Sequence, residues 1–200
     1  MKKLYLKKQG GFSLVEMLVS ISILLLVVTG PMTVTSRTAK SATFATEQVQ
    51  AFFLAQEGLE IAQKLRDDLL LINFASPGVA WTAFTNTGAG GAYQLCFNPV
   101  GNPPGCPLEW AAGGNTVASP VVSCSTITDC RLYLKNTPDR SLYTHSITAS
   151  TTSFTRQIKF SKTSDDKGVK VVSSVTWRTG SLVAEQRVEV ETYLYNIYGL

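Results

Sequence analysis

From Met17 to Ser36 the chain carries no charged residue, and the centre of this stretch, MLVSISILLLVV, is strongly apolar. As a helix rising about 1.5 Å per residue, these twenty residues reach about 30 Å, enough to cross the hydrocarbon core of a bilayer. Two features complicate a plain membrane span. Glu16 stands at its leading edge, where a carboxylate is costly unless it is paired and by default marks a function. Near the far end, Pro31 has no amide hydrogen, so the carbonyl of Val27 loses its helical partner. The Thr- and Ser-rich residues that follow, MTVTSRTAKSATFATE, are weak helix formers, and a helix break is expected at Gly30 and Pro31.

The formal charge of +4 is concentrated at one end, because removing Lys2, Lys3, Lys7 and Lys8 leaves fourteen basic and fourteen acidic residues. A neutral body has no basic patch for nucleic acid, so no direct nucleic-acid partner is expected. Lysines placed directly before an apolar stretch hold that end of a span in the cytoplasm. A secretory signal peptide would explain both lysines and apolar run, but it is cut beyond the run and does not tolerate a carboxylate at its start.

The order lysines, Gly10-Gly11, Phe12-Ser13-Leu14-Val15-Glu16 and apolar run resembles the signature of type IV prepilins and pseudopilins, carried by GFSLVEMLVSISIL. The resemblance implies that a prepilin peptidase cuts on the cytoplasmic side between Gly11 and Phe12 and that the new amine of Phe12 is methylated. Small Gly11 lets the backbone approach an active site closely. The resemblance also implies a role for Glu16, whose carboxylate pairs with the Phe12 amine of a neighbouring subunit as the chain passes from bilayer to filament. Opposite charges attract far more strongly there than in water. FFLAQEGLE, from Phe52 to Glu60, is similar to the second helical block of minor pilins.

Beyond the motif, Ala51, Leu54, Ala55, Gly58, Ile61, Ala62, Leu65 and Leu69 recur at three- and four-residue steps. Such a stripe predicts an amphipathic helix, packed on the chain's own sheet or, in the other reading, on a partner helix. After Asn73 the sequence is crowded with Gly and Pro and shows no helical period, which predicts a long loop with one short strand, Tyr93–Phe97. Four cysteines, Cys96, Cys106, Cys124 and Cys130, follow the apolar run, an even number that fits two disulfides in an oxidising compartment. Three pairings are open, and the local one, Cys96–Cys106 with Cys124–Cys130, is preferred because each bond closes a turn-rich loop. Strands are predicted at Arg131–Lys135, Phe154–Lys162, Lys170–Trp177 and Ala184–Asn196, joined as an antiparallel meander through SDDKG and RTGS.

The fold class expected is therefore α+β: a long N-terminal helix, transmembrane in its first half and amphipathic in its second, packed on a C-terminal antiparallel sheet with a disulfide-containing loop region. The organisation expected is a cleaved cytoplasmic leader over 1–11, a transmembrane or filament-core helix over 12–36, its amphipathic continuation over 37–73, and an extracellular β-rich domain over 74–200.

Catalysis finds no constellation. His145 is the only histidine and reads as a strand residue half in solvent, and without close Cys or His pairs zinc is not expected. Asp165 and Asp166 read as a solvated turn, since calcium takes six to eight oxygens. Trp81, Trp110 and Trp177 read as packing residues, with Trp110 the one placed for adhesion. No cofactor and no metal is expected. The leading expectation is a structural subunit, a minor pilin or pseudopilin of a type IV pilus or a related type II secretion or competence filament, the minor class favoured because Phe12–Leu200 is long and carries an elaborate loop. Its partners would be the prepilin peptidase, other pilin subunits, an inner-membrane assembly platform and membrane lipid before assembly. It would sit in the inner membrane with the leader in the cytoplasm and the C-terminal domain outside, then in a cell-surface or periplasmic filament. The alternative is a membrane-anchored extracellular binding module that never polymerises.

Overall fold

The computed structural model describes Gly11 and residues 13–89, 91–98, 105–109, 124, 130–179 and 184–197. Among the described residues, three helices and five strands follow in the order α1 (Leu14–Ile72), α2 (Pro77–Phe84), α3 (Gln94–Phe97), β1 (Arg131–Asn136), β2 (Ser141–Thr144), β3 (Ser150–Lys162), β4 (Gly168–Trp177) and β5 (Gln186–Tyr195). The chain divides into two compact units, Met1–Ala45 and Thr46–Leu200.

From Leu14 to Val34 the helix is bare. The apolar side chains from Leu14 to Val34 are all exposed, and no part of the most apolar window is buried against protein. Contrary to the expected break, α1 continues as α-helix through Gly30 and Pro31. Proline removes one backbone bond, to Val27, and that single loss is not enough to end a helix whose flanking turns are otherwise intact. Hydroxyls add back-bonds around the lesion: Thr29 to Leu26 O, Thr33 to Gly30 O and Thr35 to Pro31 O.

In the second unit the sheet order is β2-β1-β3-β4-β5, every pair antiparallel. The four predicted strands are β1, β3, β4 and β5, neighbours in space as expected of a meander. Strand β2 was not foreseen. It hairpins off β1 to the outer edge and leaves β1 beside β3. The β3–β4 turn is built at SDDKG, where Asp166 takes φ 55° and the Thr163 hydroxyl accepts from Gly168 N. The RTGS turn falls partly outside the described residues.

One face of the sheet meets the helix. Alternation puts Arg156, Ile158 and Phe160 of β3, Val169, Val171, Ser173 and Val175 of β4, and Val188, Val190, Thr192 and Leu194 of β5 on a common face, as the registers Ile158↔Ser173↔Val190 and Phe160↔Val171↔Thr192 require. Against it lie Ala51, Leu54, Ala55, Gly58, Ile61, Ala62 and Leu65, all buried, so this stripe covers the chain's own sheet. At the end of the stripe Leu70 is buried and Leu69 only partly so.

Two predicted features of the middle segment are corrected. Residues 77–84 form α2, with Pro77 at its start supplying the fixed φ of a first helical turn. The predicted strand Tyr93–Phe97 is instead the one-turn helix α3. Aromatic packing decides both: Phe84 sits 5.7 Å from Trp81, 6.3 Å from Tyr93, 6.4 Å from Phe97 and 5.6 Å from Phe160 between ring centroids. Trp81 and Phe84 are three residues apart, which a strand would send to opposite faces, while Tyr93 and Phe97 are four apart, about 6 Å along a helix but about 13 Å along a strand, so helix brings both pairs into one rosette.

Gly58 is where helix and sheet come closest. A Cβ there would lie 2.5 Å from Ser173 Oγ, 3.1 Å from Ile158 Cδ1 and 3.3 Å from Arg156 Cδ. Gly58→Ala gains about 1 kcal/mol of helix propensity that offsets much of this crowding. Gly58→Leu has no such compensation and is expected to cost about 3 kcal/mol, read as a lowered urea midpoint. Equal midpoints for Gly58→Leu and the native chain would disprove the close approach.

Candidate functional site

Gly11 and Ser13 lie in irregular backbone, and α1 begins at Leu14. Ser13 O accepts from Met17 N at 3.1 Å, the first helical bond, and Glu16 lies in the first turn of α1. A carboxylate there is favoured by the positive end of the helix dipole. The carboxylate is exposed and forms no ion pair among the described residues, while Ser20 Oγ donates to the Glu16 carbonyl at 2.7 Å. Gly11 is exposed, and a Cβ on it would meet nothing within 4 Å. The described surroundings of Gly11 therefore leave room for a side chain. Phe12, Gly10 and the lysines at 2, 3, 7 and 8 lie outside the described residues.

The arrangement is an open, sterically simple peptide followed by a carboxylate and a bare apolar helix. Residues 6–30 match the family model of the prokaryotic N-terminal methylation motif. The chain carries the type IV prepilin signature. This signature supports a type IV pilin-like precursor and points to a structural subunit rather than an enzyme. The apolar helix behind the motif fits the single-pass anchor of such precursors. No curated protein and no solved structure matches the chain.

The cysteines lie in the second unit. Cys96 of α3 is bonded to Cys106, with Cα atoms 5.0 Å apart, and Cys124 to Cys130, with Cα atoms 5.3 Å apart. All four are buried. Cys106 also joins the sheet: its amide and carbonyl exchange bonds with Ile158 at 3.0 and 3.1 Å, and Cys124 N donates to Gly105 O. The first disulfide thus fastens α3 to β3, at a point on that strand beyond the reach of β1.

Arg156, which sequence reasoning missed, is buried and engaged through both of its terminal nitrogens. Its Nη1 donates to Leu54 O at 3.2 Å and to Glu57 Oε2 at 2.7 Å, and its Nη2 donates to Leu108 O at 3.1 Å. At 1% exposure a guanidinium is tolerable only when paired in this way. In sequence it alternates like any strand residue, and its helix partner Glu57 lies far upstream.

His145 is also corrected. It follows β2 and is partly exposed as a residue, but its Nε2 is buried with no partner among the described residues. Nδ1 lies 3.1 Å from Arg131 O, so Nδ1 carries the proton, and the backbone amide donates to Glu109 Oε2 at 2.7 Å. Burial and the nearby Arg156 guanidinium push the imidazole down to about 3, against a small upward effect of the Arg131 carbonyl. Asp165 is occupied in its turn, where the Thr163 hydroxyl and Lys167 N donate to it and hold its carboxyl below the usual range. Trp81 and Trp177 are buried, and Trp110 lies outside the described residues. Among the described residues no group of three His, Cys, Asp or Glu is placed to hold a metal.

The state of His145 gives a signed expectation. The folded chain holds it neutral while the unfolded chain binds a proton near its ordinary 6.5, so its contribution to stability is complete above that pH and is lost as pH falls toward about 3. Urea unfolding of the detergent-solubilised chain between those limits should show stability falling by up to about 1.4 kcal/mol per pH unit, and His145→Gln should flatten the slope. Identical slopes in both would show that His145 protonates freely in the fold.

Proposed function

We propose that this chain is a subunit of a type IV pilus or a related secretion or competence filament, of the minor pilin or pseudopilin class. The observation that carries the reading is Glu16 in the first turn of a bare apolar helix, directly behind an open Gly11 and inside the methylation motif. Prepilin peptidase removes residues 1–11, and the freed amine of Phe12 is methylated. The stretch 12–36 anchors the subunit in the inner membrane and later forms the filament core, with the globular part outside. In the filament Glu16 pairs with the Phe12 amine of a neighbour, the one contact that relieves a carboxylate held among apolar helices. An assembly platform in the inner membrane would drive that transfer, and the two disulfides suit the oxidising side on which the globular part lies.

Intact-mass analysis of the chain from cells with and without the peptidase tests the processing. A methylated Phe12 terminus that appears only with the peptidase is expected, whereas a chain beginning at Met1, or cut beyond Pro31, refutes the reading. Glu16→Gln is expected to leave membrane insertion intact and to lower incorporation into sheared filaments at least about tenfold, a coupling of the size found for a lost buried pair. Undiminished incorporation, or the absence of the native chain from filaments, would turn the assignment to a membrane-anchored binding module.

A further inference from the structure

Between Leu14 and Ala45 the helix holds three charged residues, Glu16, Arg37 and Lys40. Arg37 follows directly on the charge-free stretch Met17–Ser36, so it stands about 30 Å from the Glu16 end. Lys40 lies about 4.5 Å farther along, and at about 100° of turn per residue the two side chains leave the helix within about 60° of each other. A headgroup layer is about 5–8 Å deep on each side of the hydrocarbon, so with the span in place both cations fall at phosphate depth.

Nothing in their surroundings neutralises them. Both are exposed, and among the described residues neither enters an ion pair. The hydroxyls of Thr33, Thr38 and Thr43 are turned back onto the carbonyls of Gly30, Val34 and Ala39. The next acid along the chain is Glu47, which lies in the other compact unit and accepts from the Thr179 hydroxyl.

We propose that Arg37 and Lys40 form a binding pair for the phosphates of anionic lipids in the leaflet at the far end of the span. The inference rests on reading Met17–Ser36 as that span. It gives leader removal a second consequence. Before cleavage, the lysines at 2, 3, 7 and 8 dominate the charge of the near end. Afterwards the Phe12 amine and the Glu16 carboxylate cancel there, and the net charge of 12–45 resides in Arg37 and Lys40. The electrostatic hold on the bilayer thus passes from one leaflet to the other at processing.

The test is electron spin resonance of the full chain in phosphatidylcholine vesicles doped with spin-labelled phosphatidylglycerol or spin-labelled phosphatidylcholine, scoring the label immobilised at the protein. The leader contributes equally to the native chain and to R37Q/K40Q, so their difference reports the pair. Each basic group beside an anionic headgroup is worth a factor of about five, so the double variant is expected to lose at least about threefold of the preference for phosphatidylglycerol. R37K, which keeps the charge, should retain it. Equal preference in the native chain and R37Q/K40Q overturns the proposal, as does displacement of the label by millimolar inorganic phosphate, which would mark a site for free anions. A chain left uncut by the peptidase yet lipid-selective refutes the filament reading alone, and a cut chain lacking the selectivity refutes this inference alone.

Discussion

The globular unit is organised around Arg156. Its guanidinium reaches across from β3 to a helix carbonyl, a helix carboxylate and the carbonyl of Leu108, so sheet, helix and the segment after Cys106 share one buried cation. A charge in that position constrains its neighbours more than an apolar side chain would, because its Nε already lacks a partner among the described residues and losing an acceptor would leave still more of it unpaired in a medium that solvates it poorly. Gly58 follows from this: the helix must come close enough for its backbone to reach the guanidinium, and a side chain at that position would hold it off. The small residues Ala51, Ala55 and Ala62 keep the same close spacing on either side.

A second constraint is that one helix serves two environments. From Thr46 onward its stripe is matched to a sheet, with polar residues left for solvent. From Met17 to Met32 it is apolar on every side apart from a few hydroxyls, with no stripe and no cover. A helix that is hydrophobic on every side and buried against nothing in its own chain belongs in a medium other than water. The prepilin signature fits a membrane as that medium, and under the proposed function Glu16 would make it temporary.

How much of this the sequence disclosed depended on the range of the signal. The methylation motif over residues 6–30 was legible because it is contiguous. The stripe from Ala51 to Leu65 and the long strands were legible because burial on one face writes a period into the sequence. Strand β2 was not, since SLYT is short, stands at an edge and hides between turn residues. Helices α2 and α3 were missed because tertiary aromatic contacts around Phe84 impose them, overriding a composition that favours loop. Pro31 misled for a different reason: a local rule about a lost bond was applied to a long helix able to absorb it. The burial of His145 depends on Arg131, Glu109 and Arg156, three residues from three separate segments.

The two borders of the sheet differ in a way that bears on solubility at high density. One border is β2, four residues long and too short to template another chain. The other is β5, ten residues long and, among the described residues, paired only with β4. A border of that length would ordinarily invite a second copy to add on strand to strand. Its exposed side carries Arg187, Glu189 and Glu191, the first two paired with each other and the third with Lys170. A strand arriving in register would have to strip water from this charged row, which disfavours its addition to β5.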